Sequence, residues 1–257
     1  MKVITWNVNG IRARQAQVQE LLESEQPDVL CLQEIKATPA QVPELLVNPG
    51  EYWSAWHGAG GYSGVALLIR RTFATEAPRF WHPEFDFEQR IVVADVSGPV
   101  GVNRSPVRFV SVYVPNGGKD YDAKMRFFGD LHRWLAETTQ AGQVLVLCGD
   151  INVAREERDV HPKERKVNQI GTRQEERDLF ARVLGLGMTD VGRALDPDNN
   201  DLFTWWAPWR SLRQRNIGWR IDYVLATAAM GATAVTCVSR RDFGTSDHAP
   251  VVATFAS

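Results

Sequence analysis

Short runs of β-branched and other apolar residues recur from one end of the chain to the other: KVITW, DVLCLQE, GVALLIR, RIVVADV, VRFVSVYV, QVLVLCGD, RIDYVLA, AVTCVS and VVATF. Most are bounded by Gly, Asn, Asp or Pro, the pattern of strands closed by turns. Helical spacing, with apolar residues three and four positions apart, is clear only in ARQAQVQELLESE, DAKMRFFGDLHRWLAETTQ and RQEERDLFARVLGLG. Strands therefore outnumber helices and do not alternate with them, which argues against a doubly wound parallel sheet. A mixed β-sandwich with helices packed outside suits this order better.

With 257 residues, 44% of them hydrophobic, the chain is long enough to bury a sizeable core. No Pro-, Gly- or Ser-rich linker and no internal repeat interrupts it, so the sequence predicts one domain over residues 1–257. The start, MKVITWNVNGIRAR, lacks the apolar core of a signal peptide, and no later run reaches membrane-spanning length. A cytoplasmic protein with no membrane partner is expected. Cys31, Cys148 and Cys237 are far apart and set in strand-like runs, which reads as reduced core thiols. The net charge of −2 means that any polyanionic partner must be held by a local patch.

Polar residues sit where the apolar runs stop. Asn7 follows VITW, Glu34 follows VLCLQ, Asp150 and Asn152 follow VLVLCG, Asp222 lies in RIDYVL, and Asp247 and His248 precede VVATF. Any one of these is ordinary turn chemistry. Their recurrence at strand after strand places them on a sheet rim, where side chains converge without full burial. Oxygen ligands without cysteine suit a hard cation, Mg²⁺ or Mn²⁺, and Glu34 is the natural anchor. Asp150 could take the proton of an attacking water that Asn152 orients, both side chains sharing a face if the stretch is extended. His248 would complete a phosphodiester-cleaving set by contacting a phosphoryl oxygen. Adjacent residues on an extended strand face opposite ways, so Asp222 is expected to orient His248, which leaves Asp247 to the metal.

Residues 203–220, FTWWAPWRSLRQRNIGWR, interleave Trp205, Trp206, Trp209 and Trp219 with Arg210, Arg213, Arg215 and Arg220 and contain no acid. In a mildly acidic protein this local imbalance predicts phosphate contacts beside an aromatic pocket.

The ordered motifs TWNVNGIRA, LQEIK, GYSGVALL, YVPNGG, LCGDINVA, GWRIDYVL and TSDHAPV resemble those of the exonuclease III type of abasic-site (AP) endonuclease, within the endonuclease/exonuclease/phosphatase superfamily. The resemblance implies a four-layered sandwich of two mostly antiparallel mixed β-sheets flanked by helices. It also implies a divalent metal, incision 5′ to an abasic site in double-stranded DNA, 3′-to-5′ exonuclease activity and trimming of blocked 3′ ends. Carried over by position, Glu34 would be the main metal ligand, with Asn7 helping and Asp247 nearby. Asp150 would act as base, acid or partial ligand, with Asn152 orienting the water. Tyr113 would contact the scissile phosphate, and His248, steadied by Asp222, would face it. Trp205, Trp219 and Ile221 would line the pocket for a flipped abasic sugar, while Lys36, Asn116 and Lys119 would touch the duplex.

Two positions depart from the pattern: Gln89 in Glu88-Gln89-Arg90 stands where many relatives have glycine, and Asn9 where animal members tend to have Asp. The rivals are a phosphatase or sphingomyelinase of the same superfamily, which would lack the GWRIDY context, and a non-catalytic DNA-binding module, which would have lost a carboxylate. No exposed heptad or apolar stripe argues against a monomer.

Overall fold

The computed structural model describes residues 1–97 and 106–256; residues 98–105 and 257, part of the expected single-domain span, lie outside the described residues. One six-stranded sheet runs in the order β11 (Ala234–Ser239), β12 (Val251–Phe255), β1 (Lys2–Asn7), β2 (Val29–Gln33), β4 (Val65–Arg70), β3 (Tyr52–His57). The other runs β5 (Arg79–Trp81), β6 (Ile91–Val96), β7 (Val107–Tyr113), β8 (Val144–Asp150), β10 (Asp222–Thr227), β9 (Met188–Asp190). In each sheet a single neighbouring pair is parallel, β1 with β2 and β7 with β8, and every other pairing is antiparallel.

Parallel neighbours need a crossover, and here it is a helix: α1 (Ile11–Glu25) joins β1 to β2. The chain continues with α2 (Glu44–Val47), then α3 (Tyr121–Gln140), which joins β7 to β8, and later α4 (Gln174–Leu184), α5 (Val191–Leu195) and α6 (Ala228–Gly231). Asp120 caps α3, its carboxylate accepting from the Ala123 amide at 2.8 Å.

Side chains alternate along the strands, and the layers follow from that. Val29 and Cys31 turn into the space between the sheets, against Phe109, Val146, Cys148 and Val224. Leu30 and Leu32 turn outward, beneath Val18 and Leu21 of α1. On the opposite outer face Val110, Val112, Leu145 and Leu147 pack under Phe127, Phe128, Leu131 and Leu135 of α3. Central strands are thus buried on both faces, which is why they read as continuous apolar runs. The expected four layers are present, and the three cysteines are free thiols, two of them buried.

Strands β3, β5 and β9 escaped the reading of apolar runs. All three are sheet edges, β5 and β9 are only three residues long, and β3, YWSAWH, is largely half-buried. An edge strand needs no continuous apolar run because one side of it is not packed between neighbours.

The topology also gathers one set of strand ends. Asn7 pairs with Gln33 at the ends of the first parallel pair, and Tyr113 pairs with Asp150 at the ends of the second. Antiparallel β10 begins at Asp222, opposite Asp150, and β12 begins three residues after His248. Polar residues from both sheets therefore meet at one rim. No described helix is long and apolar enough to cross a membrane.

Candidate active site

Beyond Gln33 the backbone turns sharply: Glu34 and Lys36 both take left-handed φ angles, 49° and 50°. That conformation is costly for non-glycine residues and persists only where surroundings enforce it. The Gly10 amide on the Glu34 carbonyl (2.7 Å) and the Ile35 amide on the Gly64 carbonyl (3.1 Å) do so here. Asn7 Nδ2 donates to Glu34 Oε1 (2.9 Å) and to Asp150 Oδ2 (3.0 Å), while its Oδ1 accepts from the Asn9 amide (3.0 Å). Asn7, expected among the metal ligands, is thus oriented as a donor that ties the two carboxylates together.

Glu34, Asp150 and His248 bring ligand atoms within 4.8 Å of one another. A carboxylate-rich donor set of this kind fits a hard divalent cation. The Lys36 ammonium stands 2.8 Å from Glu34 Oε2 and donates to Asn9 Oδ1 at 2.6 Å, so it also belongs to the charge balance of this site. Burial pushes the Glu34 carboxyl up, but the Asn7 and Lys36 donors and cationic His248 outweigh it and hold the group below its usual range. Asp247 stands outside the cluster, with Oδ1 accepting from Asn9 Nδ2 (2.9 Å) and Oδ2 from Trp205 Nε1 (3.0 Å). It lines the same cavity as Glu34, Asp150 and His248 and orients the Asn9 and Trp205 side chains.

His248 Nδ1 lies 2.9 Å from Asp222 Oδ2, and Nε2 lies 3.9 Å from Asp150 Oδ2. Asp222 is therefore the partner of the imidazole. β12 starts only at Val251, but His248 itself forms an isolated antiparallel bridge with Trp205, so the backbone is locally extended there. The segment is also pinned: Ser246 Oγ donates to the Asn7 carbonyl (2.7 Å), and Trp6 Nε1 to the His248 carbonyl (3.1 Å). Asp222 Oδ2 also accepts from Thr204 Oγ1 at 2.6 Å, a contact with no signal in the sequence. Asn152 likewise has a left-handed φ of 55°, so it approaches Asp150 through a turn, its amide donating to Asp150 Oδ1 (2.9 Å) and its Nδ2 to the Val114 carbonyl (2.8 Å).

Burial and the negative charge of Asp222 push the Asp150 carboxyl up to about 8, against the pull of His248. Burial disfavours the His248 imidazolium, but Asp222, Asp150 and Asp247 outweigh it and raise the group to about 10. Both groups hold more protons folded than unfolded. The Asp150 penalty sets in above 3.8 and is complete above about 8, and the His248 contribution, full below 6.5, is lost through about 10. Stability without metal must therefore fall as pH rises through these windows. In EDTA, Tm is expected to be lower near pH ~9 than near pH ~6, with the lower part of the decline flattened in Asp150→Asn. A Tm that rises with pH in thermal melts contradicts this.

Tyr113, at the end of β7, has its hydroxyl kept protonated by burial and by the charges of Glu34 and Asp150. It lines a cavity of about 340 Å³ together with Glu34, Asp150, Trp205, Trp219 and Ile221. Trp205 and Trp219 meet edge to face at 6.0 Å. Asn116 lines the mouth, and Lys119 is exposed on the same loop. Gln169, Ile170 and Gly171, which the sequence did not flag, complete the wall. Gly171 has φ +88°, and a Cβ there would lie 3.1 Å from the Asn152 carbonyl oxygen and 3.2 Å from the Trp219 ring. The turn at Glu88 and Gln89 forms without glycine, at φ 56° and 53°, which costs on the order of 1 kcal/mol per residue.

The arginines of residues 203–220 divide by environment. Arg210 and Arg215 are exposed and available to phosphate. Arg213 instead donates to the carbonyls of Arg241 (2.7 Å), Phe243 (2.6 Å) and Ser246, bracing the loop that carries His248. Arg220 is buried between Asp159 (2.8 Å) and Asp190 (2.7 Å), so its expected DNA contact is replaced by a structural ion pair. Trp206 is core, and Trp209 is exposed. Arg210→Ala and Arg215→Ala should each lower the salt slope of duplex binding by up to about one with Tm unchanged. Arg220→Ala should instead destabilise the fold by roughly 3 kcal/mol, because it removes the guanidinium between two buried carboxylates and leaves Asp159 only Arg193 and Asp190 only Arg155 as cationic partners. Equal salt slopes in all three variants would refute the division.

Two mixed sheets face to face, with carboxylates, amides and an imidazole at their joined rim, define a metal-assisted phosphoester site. The chain belongs to the endonuclease/exonuclease/phosphatase family, whose pattern matches residues 4–248. It is 33% identical to an exodeoxyribonuclease of Bacillus subtilis over 98% of both chains. An AP endonuclease structure from Archaeoglobus fulgidus matches all of both chains with a TM-score of 0.87 at 29% identity. The structure of the 3′ phosphatase NExo from Neisseria, bound to a product DNA hairpin, matches all of both chains at 0.88 and 31% identity.

Proposed function

We propose that this chain is a DNA-repair nuclease, one monomeric catalytic domain that hydrolyses the backbone 5′ to an abasic site in double-stranded DNA. Its 3′-to-5′ exonuclease and 3′-end-trimming activities use the same site. The observation that carries this reading is a single cavity with the Glu34, Asp150 and His248 cluster on one side and Trp205, Trp219 and Ile221 on the other. An apolar wall beside a phosphoester-cleaving site suits a sugar without its base.

Glu34 and Asp150 would hold Mg²⁺ or Mn²⁺, which when bound offsets phosphoryl charge and acidifies water. Asp150, held by Asn7 Nδ2 and the Asn152 amide, exchanges a proton with the attacking water or the leaving oxygen. Asn152, its Nδ2 tied to the Val114 carbonyl, offers Oδ1 to orient that water. Protonated His248, held at Nδ1 by Asp222, donates from Nε2 to the phosphoryl oxygen as charge grows there, and the Tyr113 hydroxyl donates beside it.

The test uses end-labelled duplexes carrying one abasic analogue, no lesion, or a 3′-phosphate. Incision 5′ to the analogue is expected, abolished by EDTA, with Trp219→Ala eroding the preference over intact duplex. Release of the 3′-phosphate with no incision at the abasic analogue would favour the 3′-phosphatase reading that the Neisseria structure supports.

A further inference from the structure

A second group of metal-ligand type lies away from the cleft, where an edge of one sheet meets an edge of the other. His57 is the last residue of edge strand β3, and His82 follows edge strand β5. Their imidazoles stack across the gap with centroids 3.6 Å apart and planes 17° from parallel. Asp86, on the turn after β5, places Oδ2 2.6 Å from His57 Nε2. One ligand atom from each of His57, His82 and Asp86 lies within 4.8 Å of the others.

We propose that His57, His82 and Asp86 bind a borderline transition-metal dication of the Zn²⁺ class, separate from the catalytic cation. Two imidazoles and one carboxylate suit Zn²⁺, Co²⁺ or Ni²⁺ and discriminate against Mg²⁺, which takes oxygen ligands.

The surroundings orient the donors as metal sites require. His82 Nδ1 lies 3.0 Å from the Ile91 carbonyl, which can only accept, so Nδ1 carries the proton and Nε2 keeps its lone pair. Asp86 Oδ1 accepts from the Arg90 and Ile91 amides (2.8 and 3.2 Å), which fixes the carboxylate and aims Oδ2 at His57. Zn–N bonds of about 2.0–2.1 Å place tetrahedral ligands roughly 3.3 Å apart, so the 2.6 Å His57–Asp86 pair must open and the His82 ring must turn out of its stack to aim Nε2 at the cation. His82 is exposed at the end of a strand, which leaves room for that rotation. With the cation on Nε2, neutral His57 would carry its one proton at Nδ1, and water would fill the remaining position. Bound there, it would staple the edges of the two sheets.

The test is a titration of Glu34→Gln protein with Co²⁺ in excess Mg²⁺, which suppresses binding at the catalytic cluster. The expected result is one Co²⁺ per chain with visible d–d absorption, displaced by Zn²⁺, and a Tm that rises with Zn²⁺. Affinity should drop at least ~10-fold in His82→Ala, and should weaken as the solution is acidified because protons compete with the cation for the ring nitrogens. His82 lies outside the catalytic machinery and its side chain is exposed, so His82→Ala introduced alone, with Glu34 intact, should fold and keep wild-type incision in Mg²⁺. His57→Gln gives an independent second measurement. Absence of Co²⁺ binding, or Co²⁺ affinity and absorption unchanged in His82→Ala, overturns the site.

Discussion

Asp150→Asn lowers kcat by at least ~10²-fold while affinity for an abasic duplex stays near that of the unsubstituted protein. The substitution keeps the shape and the acceptor at Oδ1 for the Asn152 amide. It removes the one group at the site that burial and Asp222 have pushed up to about 8. A carboxyl group can take and give a proton, and an amide cannot. Binding persists because exposed Arg210 and Arg215 and the tryptophan wall remain. Single-turnover incision with a parallel binding titration separates the two effects. Turnover within a few-fold of the unsubstituted protein would remove Asp150 from the proton-transfer role.

His248→Ala is expected to cost ~10²- to 10³-fold in kcat/KM, and Asp222→Ala nearly as much, but the double variant little more than either alone. Asp222 has one carboxylate oxygen 2.9 Å from His248 Nδ1 and shared with the Thr204 hydroxyl, so its catalytic effect passes through the imidazole. Once the ring is gone, the aspartate has nothing to orient. Asp247→Ala should behave otherwise, adding its loss to that of His248→Ala, because its oxygens hold Asn9 and Trp205. A double-mutant cycle for both pairs decides the matter. Strong coupling of His248 to Asp247, with Asp222 additive, would reverse the two roles.

The positions of the site residues along the chain were legible, but several of the reasons were not. Glu34, Asp150 and Asn152 stand out because each interrupts or closes an apolar run, a signal confined to the local sequence. The pairing of His248 with Asp222 was expected from alternation along a strand, but the extended segment is an isolated bridge to Trp205, outside β12 and pinned by Trp6 and Ser246. Asn152 reaches Asp150 through a left-handed turn and not along a shared strand face. Among the arginines of residues 203–220 the sequence offers no distinction. Arg220 and Arg213 are withdrawn from solvent by Asp159 and Asp190, and by carbonyls of residues 241–246, all distant in sequence.

The sequence by itself determined what depends on neighbours along the chain: which runs are central strands, where the long helices lie, and which polar residues end each strand. Periodicity and turn chemistry act over a few residues and survive in one dimension. Tertiary structure alone decided which strand ends meet, which arginines stay free, and that the loop at Gly171 walls the cavity. It also brought His57 against His82 across two sheet edges. Those outcomes depend on burial and on the distance between groups remote in sequence, and both quantities exist only once the sheets have packed against each other.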